Sequence, residues 1–325
     1  MRKIAVIFIG FVFMMTGSLC WAKDDYPIKP IEVINAYAPG GPTDFVGRMV
    51  GDKMAEYLGQ PLVLISKPGG ATAVGSSFVA KSKPDGYTLL ITGCGIVTRP
   101  LFEPSMPYRI NEFIPIGIYQ RNYHVLAANN SLPVKNLAEL VDYAKKNPKT
   151  LSYGISGVGA ITHLAMELFK LNAQLTDTHL QCIPYPGDNP ALLAVIGNHV
   201  QVSLTTLPPA IPHINAKAVR ALAIPSEKRN PLLPEVPTTG EQGFPNVVSP
   251  CYHILLAPAK TPEYIVKKLE GAMEKALQDK GVQEKLEKLG FPADFLNSKD
   301  TQALQDNDGK KWSEVIKKAN LSVKK

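Results

Sequence analysis

The residues able to do chemistry in this chain are mostly backbone donors and hydroxyls gathered at glycine corners. Ala38-Pro39-Gly40-Gly41-Pro42-Thr43-Asp44 follows the β-branched and aromatic run Ile31 to Tyr37. It precedes Phe45, Val46, Met49, Val50, Met54 and Leu58 at helical spacing. A strand that turns through Gly-Gly into a helix aims free N–H groups, and the positive end of the helix dipole, above the strand's carboxyl end. Such a corner suits an anion, and it is also the geometry of a plain tight turn. Further corners follow at Lys67-Pro68-Gly69-Gly70, Thr92-Gly93-Cys94-Gly95, Ser156-Gly157-Val158-Gly159 and Tyr185-Pro186-Gly187. With Thr43, Thr162, Thr205 and Thr206 they make a set suited to reversible hydrogen bonding of carboxylate oxygens. Arg99 and Arg121 are the cationic candidates for a second carboxylate by bidentate contact.

Enzyme signatures are mostly missing. Gly154-Ile155-Ser156-Gly157-Val158 fails the nucleophile-elbow pattern at its last position. No glycine loop ends in Gly-Lys-Ser/Thr, and Gly157-Val158-Gly159 lacks the third glycine of a dinucleotide fingerprint. His163 and Glu167 share a helix face, but two groups do not make a metal site; His163 is read as capping or lining a cleft. His124, His179, His199, His213 and His253 show no ligand spacing. The enzyme alternative is a secreted α/β hydrolase using Ser156 and His163, which lack an acidic orienter in the sequence. No catalytic residue, metal or cofactor is assigned.

These corners need a scaffold of alternating strands and helices, which predicts an α/β fold with mainly parallel sheets. Strands are expected at Pro61 to Ser66, Tyr87 to Ile91, Leu151 to Ser156, Ile183 to Tyr185, Val200 to Leu204 and Val219 to Ile224. Several of them end in glycine loops, and in such sheets ligands collect at the strands' carboxyl ends. Phe113 to Ala128, interrupted by Gln120-Arg121-Asn122, is read as a strand crossing between domains. Asn136 and Glu139 form a capping box, and Asn189 is expected to cap a helix with Pro190 at its first position. Helices close the chain from Thr261-Pro262, up to Gly290, and from about Ser298 past Trp312.

A length of 325 residues suggests two domains. Hydrophobic content of 45% and charge content of 19% mark an ordinary globular chain. The net charge of +7 includes Arg2 and Lys3; without them it is +7 − 2 = +5. Much of the excess is lysine near the C-terminus, read as a solvated helix face and tail and not as a nucleic-acid patch. Met1-Arg2-Lys3, an apolar run from Ile4 to Met15 and the small-residue exit to Ala22 have the order of a secretory signal. Cleavage after Ala22 would start the mature chain at Lys23; an uncleaved anchor and lipidation of Cys20 are the alternatives. The mature cysteines Cys94, Cys182 and Cys251 are odd in number and lack a C-x-x-C pair, which argues against a disulfide framework but leaves one bridge open.

Taken in order, the motifs resemble the solute-binding proteins of tripartite tricarboxylate transporters, the Bug/TctC type. The likeness rests on Pro39-Gly40-Gly41-x-Thr43-Asp44, Lys67-Pro68-Gly69, Pro84-Asp85-Gly86-Tyr87-Thr88-Leu89 and Tyr153-Gly154-x-Ser156-Gly157-Val158-Gly159 with His163-Leu164. It continues through Pro184-Tyr185-x-Gly187, Leu207-Pro208-x-Ala210-x-Pro212-His213-Ile214, Arg220-Ala221-Leu222-Ala223 and Pro234-x-Val236-Pro237-Thr238. Glu241-x-Gly243-Phe244-Pro245 and Leu256-Ala257-Pro258-Ala259-x-Thr261-Pro262 close the series.

The resemblance implies a periplasmic, monomeric, two-lobed protein of the type II periplasmic-binding-protein fold, closing on a small organic acid in the cleft between lobes. Its partners would be membrane transporter subunits, or in a variant a membrane sensor, with no nucleic acid. The expected division is a signal peptide over 1–22, one discontinuous lobe of 23–122 and 226–325, and a second lobe of 123–225. The expected ligand-binding residues are Ala38, Pro39, Gly40, Gly41, Thr43, Asp44, Thr92, Gly95 and Arg99 on one side. Ser156, Gly157, Gly159, Thr162, His163, Tyr185, Gly187, Asn189 and Thr205 face them. The chain departs from the family pattern at Gln201 and Thr205, where relatives carry acids, which weakens the case for an amino-acid ligand. Arg99 stands for a usual asparagine, Cys251 for a tryptophan and His253 for a glycine.

Overall fold

The computed structural model describes residues 25–249, 251–291 and 293–321; the expected signal segment lies outside them. Two mixed sheets flanked by helices make up the described chain. The first contains β1 (Ile31–Asn35), β2 (Leu62–Ser66), β3 (Thr88–Gly93), β4 (Phe113–Asn122), β10 (Cys251–Pro258) and β11 (Ala293–Asn297), in the order β11-β4-β10-β3-β1-β2. The second contains β5 (His124–Asn129), β6 (Ser152–Ile155), β7 (Gln181–Pro184), β8 (Val202–Thr206) and β9 (Val219–Ala223), in the order β7-β6-β8-β5-β9.

The expectation of mainly parallel sheets holds for three strands of each. β2, β1 and β3 are parallel, as are β7, β6 and β8, while β4, β10, β11, β5 and β9 pair antiparallel. The reason is connectivity: β4 passes into β5 through the single residue Tyr123, so the long apolar stretch is two strands in two sheets. The parallel halves then come from strand–helix–strand units, which bring all their carboxyl ends to one edge.

Sequence dictates the helices that complete those units. α1 (Pro42–Leu58) buries Val46, Val50, Met54 and Leu58 at four-residue spacing and stops at Gly59 in the left-handed region. α2 (Ala73–Ala80) and α3 (Gly95–Phe102) follow β2 and β3. α4 (Leu137–Lys146) has the Asn136 cap foreseen from sequence, with Asn136 Oδ1 accepting from Glu139 N at 2.8 Å. The box is not closed: Glu139 Oε2 accepts from Lys135 N at 2.7 Å, one residue before Asn136 N. α5 (Ile161–Ala173), α6 (Asp188–Ile196) and α7 (Leu207–Asn215) serve the second sheet; α8 (Glu263–Gln278), α9 (Lys280–Lys288) and α10 (Ser298–Lys318) end the chain.

One apolar cluster runs from Ile34 and Leu90 of the first sheet through Leu126, Tyr153 and Leu204 of the second, and includes Trp312 and Val315 of α10. The last helix therefore packs on both halves, and Tyr252 Oη of β10 donates to Asp308 on it at 2.9 Å. The segment between β9 and β10 stays with the second sheet. Thr239 N donates to Ile224 O at 2.9 Å, Gln242 Nε2 donates to Leu222 O at 2.8 Å, and Leu233 and Val236 pack with Leu192 and Val195.

Candidate functional site

The parallel strands place six helix starts at one edge of the two sheets: α1, α2 and α3 on the first, α5, α6 and α7 on the second. None of the six has a side-chain cap. By contrast Asn136, Asp279 and Asn297 cap α4, α9 and α10 elsewhere; α8, behind Pro262, is uncapped as well. The first turn of a helix leaves N–H groups with no intrahelical acceptor, and a missing cap leaves them for something else. In α7 that is the backbone, since Leu207 N donates to Tyr123 O at 2.8 Å and Pro208 and Pro209 have no N–H. In α2 Ala73 N and Val74 N donate to Gly70 O and Gly69 O, so α1, α3, α5 and α6 are the starts with donors to offer. Gly41, Ala160 and Gly187 are the residues standing where a Ser, Asp or Asn would have closed the turn.

In the first corner Asp44 works inward. Its Oδ2 accepts from Gly40 N at 3.0 Å, and its Oδ1 from Asn35 Nδ2 at 3.4 Å and Arg48 Nη2 at 3.0 Å. Burial pushes the Asp44 carboxyl up, but the Gly40 N–H and Arg48 outweigh it and hold the pKa below the usual carboxylate value. Gly40 has φ +83°, a left-handed conformation that suits glycine, so the corner reverses at that residue. Ala38, Pro39 and Gly40 are exposed at the tip, while Thr43 is buried beneath them. Thr92 is buried at the end of β3, next to the start of α3 that carries Gly95 and Arg99.

In the second half Ser156 Oγ meets Thr162 Oγ1 at 2.9 Å, and Gly159 N donates to His163 Nδ1 at 3.1 Å. His163 thus caps its own loop, as sequence suggested, and its bare-nitrogen side is spent on a backbone donor. Burial holds its imidazole pKa below the ordinary histidine value, so the ring is neutral near pH 7. Ser156 turns to Thr162 and not to His163, so these two do not form a nucleophile–base pair. Glu167 is taken by Lys170 Nζ at 2.7 Å and by the Tyr153 hydroxyl, which fixes α5 against β6.

The two corners meet. Arg99 Nη1 donates to Val158 O at 3.0 Å, and the Phe102 and His163 rings lie edge to face with centroids 6.1 Å apart. Gly159, at φ +74°, has no room for a side chain: a Cβ there would stand 2.8 Å from the Phe102 ring. The other expected cation is not part of this. Arg121 is held by Asp294 in a bidentate pair at 2.5 and 2.8 Å, so it is spent on β11.

The helix after β7 begins two residues earlier than expected. Gly187 is the half-in residue, Asp188 opens α6, and Asn189 is exposed in the first turn instead of capping it. Asp188 was missed in the sequence. Its Oδ2 accepts from Thr206 N at 3.3 Å and its backbone carbonyl accepts from Thr205 Oγ1 at 3.5 Å, while its buried Oδ1 has no hydrogen-bond partner. Asp188 acts electrostatically on His124, whose pKa burial nonetheless lowers. His124 Nδ1 donates to Ser249 O at 2.8 Å, and His253 Nδ1 donates to Gln120 Oε1 at 2.6 Å. These two buried histidines, which show no ligand spacing in the sequence, open β5 and lie on β10.

Residues 46–321 match the family model described as the tripartite tricarboxylate transporter family receptor, TctC. The chain belongs to the TctC family. It is 36% identical over 277 residues to a UPF0065 protein of Bordetella pertussis, covering 85% of this chain and 83% of that one. To the BugT protein of the same organism it is 30% identical over 328 residues, with 99% of both chains covered. Among solved structures it resembles a Rhodopseudomonas palustris protein with adipate (30% identity, TM-score 0.79, 92% of this chain and 99% of that one). It also resembles MatC from Rhodopseudomonas palustris with bound malate (28% identity, TM-score 0.73, covering 90% and 100%).

Proposed function

We propose that this TctC-family protein captures a small organic carboxylate between two lobes outside the cytoplasmic membrane and delivers it, as a monomer, to a membrane transporter of the tripartite tricarboxylate type. The observation that carries the reading is the set of uncapped starts of α1, α3, α5 and α6 at the carboxyl ends of the parallel strands, with α3 joined to the loop before α5 by the Arg99–Val158 contact. Uncapped N–H groups and hydroxyls bind a carboxylate by many modest bonds, which suits capture followed by release. The relatives solved with adipate and malate favour a dicarboxylate.

The ligand contacts in this reading are the sequence-derived set from Ala38 through Thr205 with Asp188 added; Arg121, the other cationic candidate, stays outside it because Asp294 holds it. Asp188 Oδ1 would receive a donor on the ligand, which favours an acid that also carries a hydroxyl or ammonium group. The lobes are 23–122 with the chain after about residue 250, and 123–249, because the segment beyond β9 packs on the second sheet. Cleavage after Ala22 releases the mature chain.

A thermal-shift panel of mono-, di- and hydroxy-dicarboxylates tests this reading. A ligand at 100 times its Kd stabilises the protein by about 2.7 kcal/mol, a clear rise in Tm. A panel in which no organic acid raises Tm would overturn the carboxylate assignment.

A further inference from the structure

Cys94 Sγ and Cys251 Sγ lie 3.8 Å apart although the residues are 157 positions apart in the chain. Strand register brings them near. Gly93 faces His253 across β3 and β10, and Cys94 N donates to Tyr252 O at 3.0 Å, so Cys251 is one step off from Cys94 on the neighbouring strand. Residues one step apart on a strand point to opposite faces. Cys94 escapes that alternation because its φ −53° and ψ −20° are already helical, as the residue entering α3. Its side chain is thereby free to meet Cys251. The third described cysteine, Cys182, is on β7 in the other sheet, where burial pushes its thiol up to about 11.

We propose that Cys94 and Cys251 close a disulfide that ties the Thr92–Gly95 corner of the ligand site to β10. Two thiols at van der Waals distance reach the bonded separation of about 2.05 Å by side-chain rotation on strands already paired. The oxidant is a disulfide donor of an oxidising compartment, either a small-molecule disulfide or an oxidised dithiol protein. The thiolate of one cysteine attacks a donor sulfur, and one donor thiolate leaves with the bonding pair. The thiolate of the second cysteine attacks the mixed disulfide and expels the other donor thiolate. The protein loses two electrons and two thiol protons; the donor gains two electrons, and its two thiolates take up the protons.

Timing follows from the surroundings. Cys94 is buried, and in the folded protein the neighbouring Cys94 thiol, together with burial, raises the Cys251 pKa well above its ordinary value. The Cys251 thiolate is scarce there and Cys94 is shielded from a donor, so exchange with the finished fold is slow and the bond forms while the chain is folding. The proposal rests on the reading that this chain works outside the cytoplasmic membrane, and a test in two arms separates the chemistry from the location.

In the first arm, exported protein is reduced, denatured and refolded in mixed reduced and oxidised glutathione, then alkylated with N-ethylmaleimide in denaturant and mapped by peptide mass spectrometry. The expected result is a linked peptide joining Cys94 to Cys251 with Cys182 alkylated, and a melting temperature higher than that of the dithiothreitol-treated protein. Alkylation of both Cys94 and Cys251, or capture of either only by glutathione or Cys182, overturns the pairing. Cys94→Ser and Cys251→Ser each remove the link and leave the remaining cysteine alkylated; if a variant does not fold, the wild-type map decides. In the second arm, the exported chain is alkylated in intact cells before lysis. Linked cysteines there support the bond in its compartment, and two free thiols in cells alongside a linked refolded protein overturn the location.

Discussion

Arg99 donates to the backbone carbonyl of Val158 at 3.0 Å, so a side chain on the first sheet's α3 holds the glycine loop that opens α5 on the second. The bond is made at the rim, in partial contact with water, and links two segments otherwise carried by different sheets. Arg99→Ala removes it with little effect on the fold, at most about 1 kcal/mol by urea denaturation. Because the contact exists only when the corners are together, the variant should weaken carboxylate binding several-fold by calorimetry. An unchanged Kd would show that the contact has no part in closure.

Arg121 supplies the contrasting case. Its partner Asp294 lies on β11, and both side chains are more than a third exposed, at 39% and 36%. Arg121→Ala should therefore cost about 0.5 to 1 kcal/mol of stability, reduced further by salt, and leave ligand affinity unchanged. A large loss of affinity would return Arg121 to the site.

Asp44 binds the first corner from within. Asp44→Asn puts an amide where a carboxylate oxygen now accepts from Gly40, and it discharges the pair with Arg48. The expected cost is about 1 to 2 kcal/mol in stability. The loss in ligand affinity should be larger than tenfold, because the N–H groups of the loop no longer hold one arrangement. Equal binding by the variant would make Asp44 a fold residue only.

For Asp188 the prediction concerns selectivity. With Oδ1 unpartnered in the present arrangement, Asp188→Asn should reduce affinity for acids bearing a hydroxyl or ammonium group by about 1.5 to 3 kcal/mol. Affinity for the plain dicarboxylate of equal length should hold or rise. The same change for both classes would place Asp188 away from the ligand.

His253 sets a pH dependence. Burial pushes its imidazole down to about 4, below the unfolded value of about 6.5. The unfolded chain takes up the proton first, so the contribution to stability is full above about pH 6.5 and is lost as pH falls from there toward the folded pKa. The loss across that window is about 3 kcal/mol for this group. His124, lowered by burial as well, adds in the same direction. His253→Gln should flatten the fall in urea midpoint between pH 6.5 and 4, leaving the His124 part. An unflattened curve would remove His253 as the cause.

Much of the fold could be read from the chain because its signals are local. The Gly-Gly corner before α1, the Asn136 cap of α4 and the four-residue apolar spacing of α1 and α8 each need only a few neighbouring residues. What escaped reading depends on distant partners. α3 was hidden by Pro100 within its short span, and β11 by having only its pairing with β4 to define it. The mixed sheets followed from Tyr123 passing the chain from one to the other, which no periodicity reports. In the site, the glycine corners were visible as composition, whereas Asp188 was not: an acid in a first helical turn is ordinary until its buried oxygen is found without a partner. Arg121 looked available because Asp294, its partner, lies 173 residues away.

The strand order has a consequence in time. The second sheet is made of one unbroken stretch, 124–223, while β3 and β4 of the first sheet have no contact as neighbours until β10 lies between them. As the chain emerges from its amino end, the second sheet can complete itself early. The first waits with two unpaired strand edges until residues 251–258 arrive, and such edges are sites of aggregation. A chain halted near residue 250 would thus carry one finished half and one open half, and the vulnerable interval in the life of this protein is the passage of its last quarter.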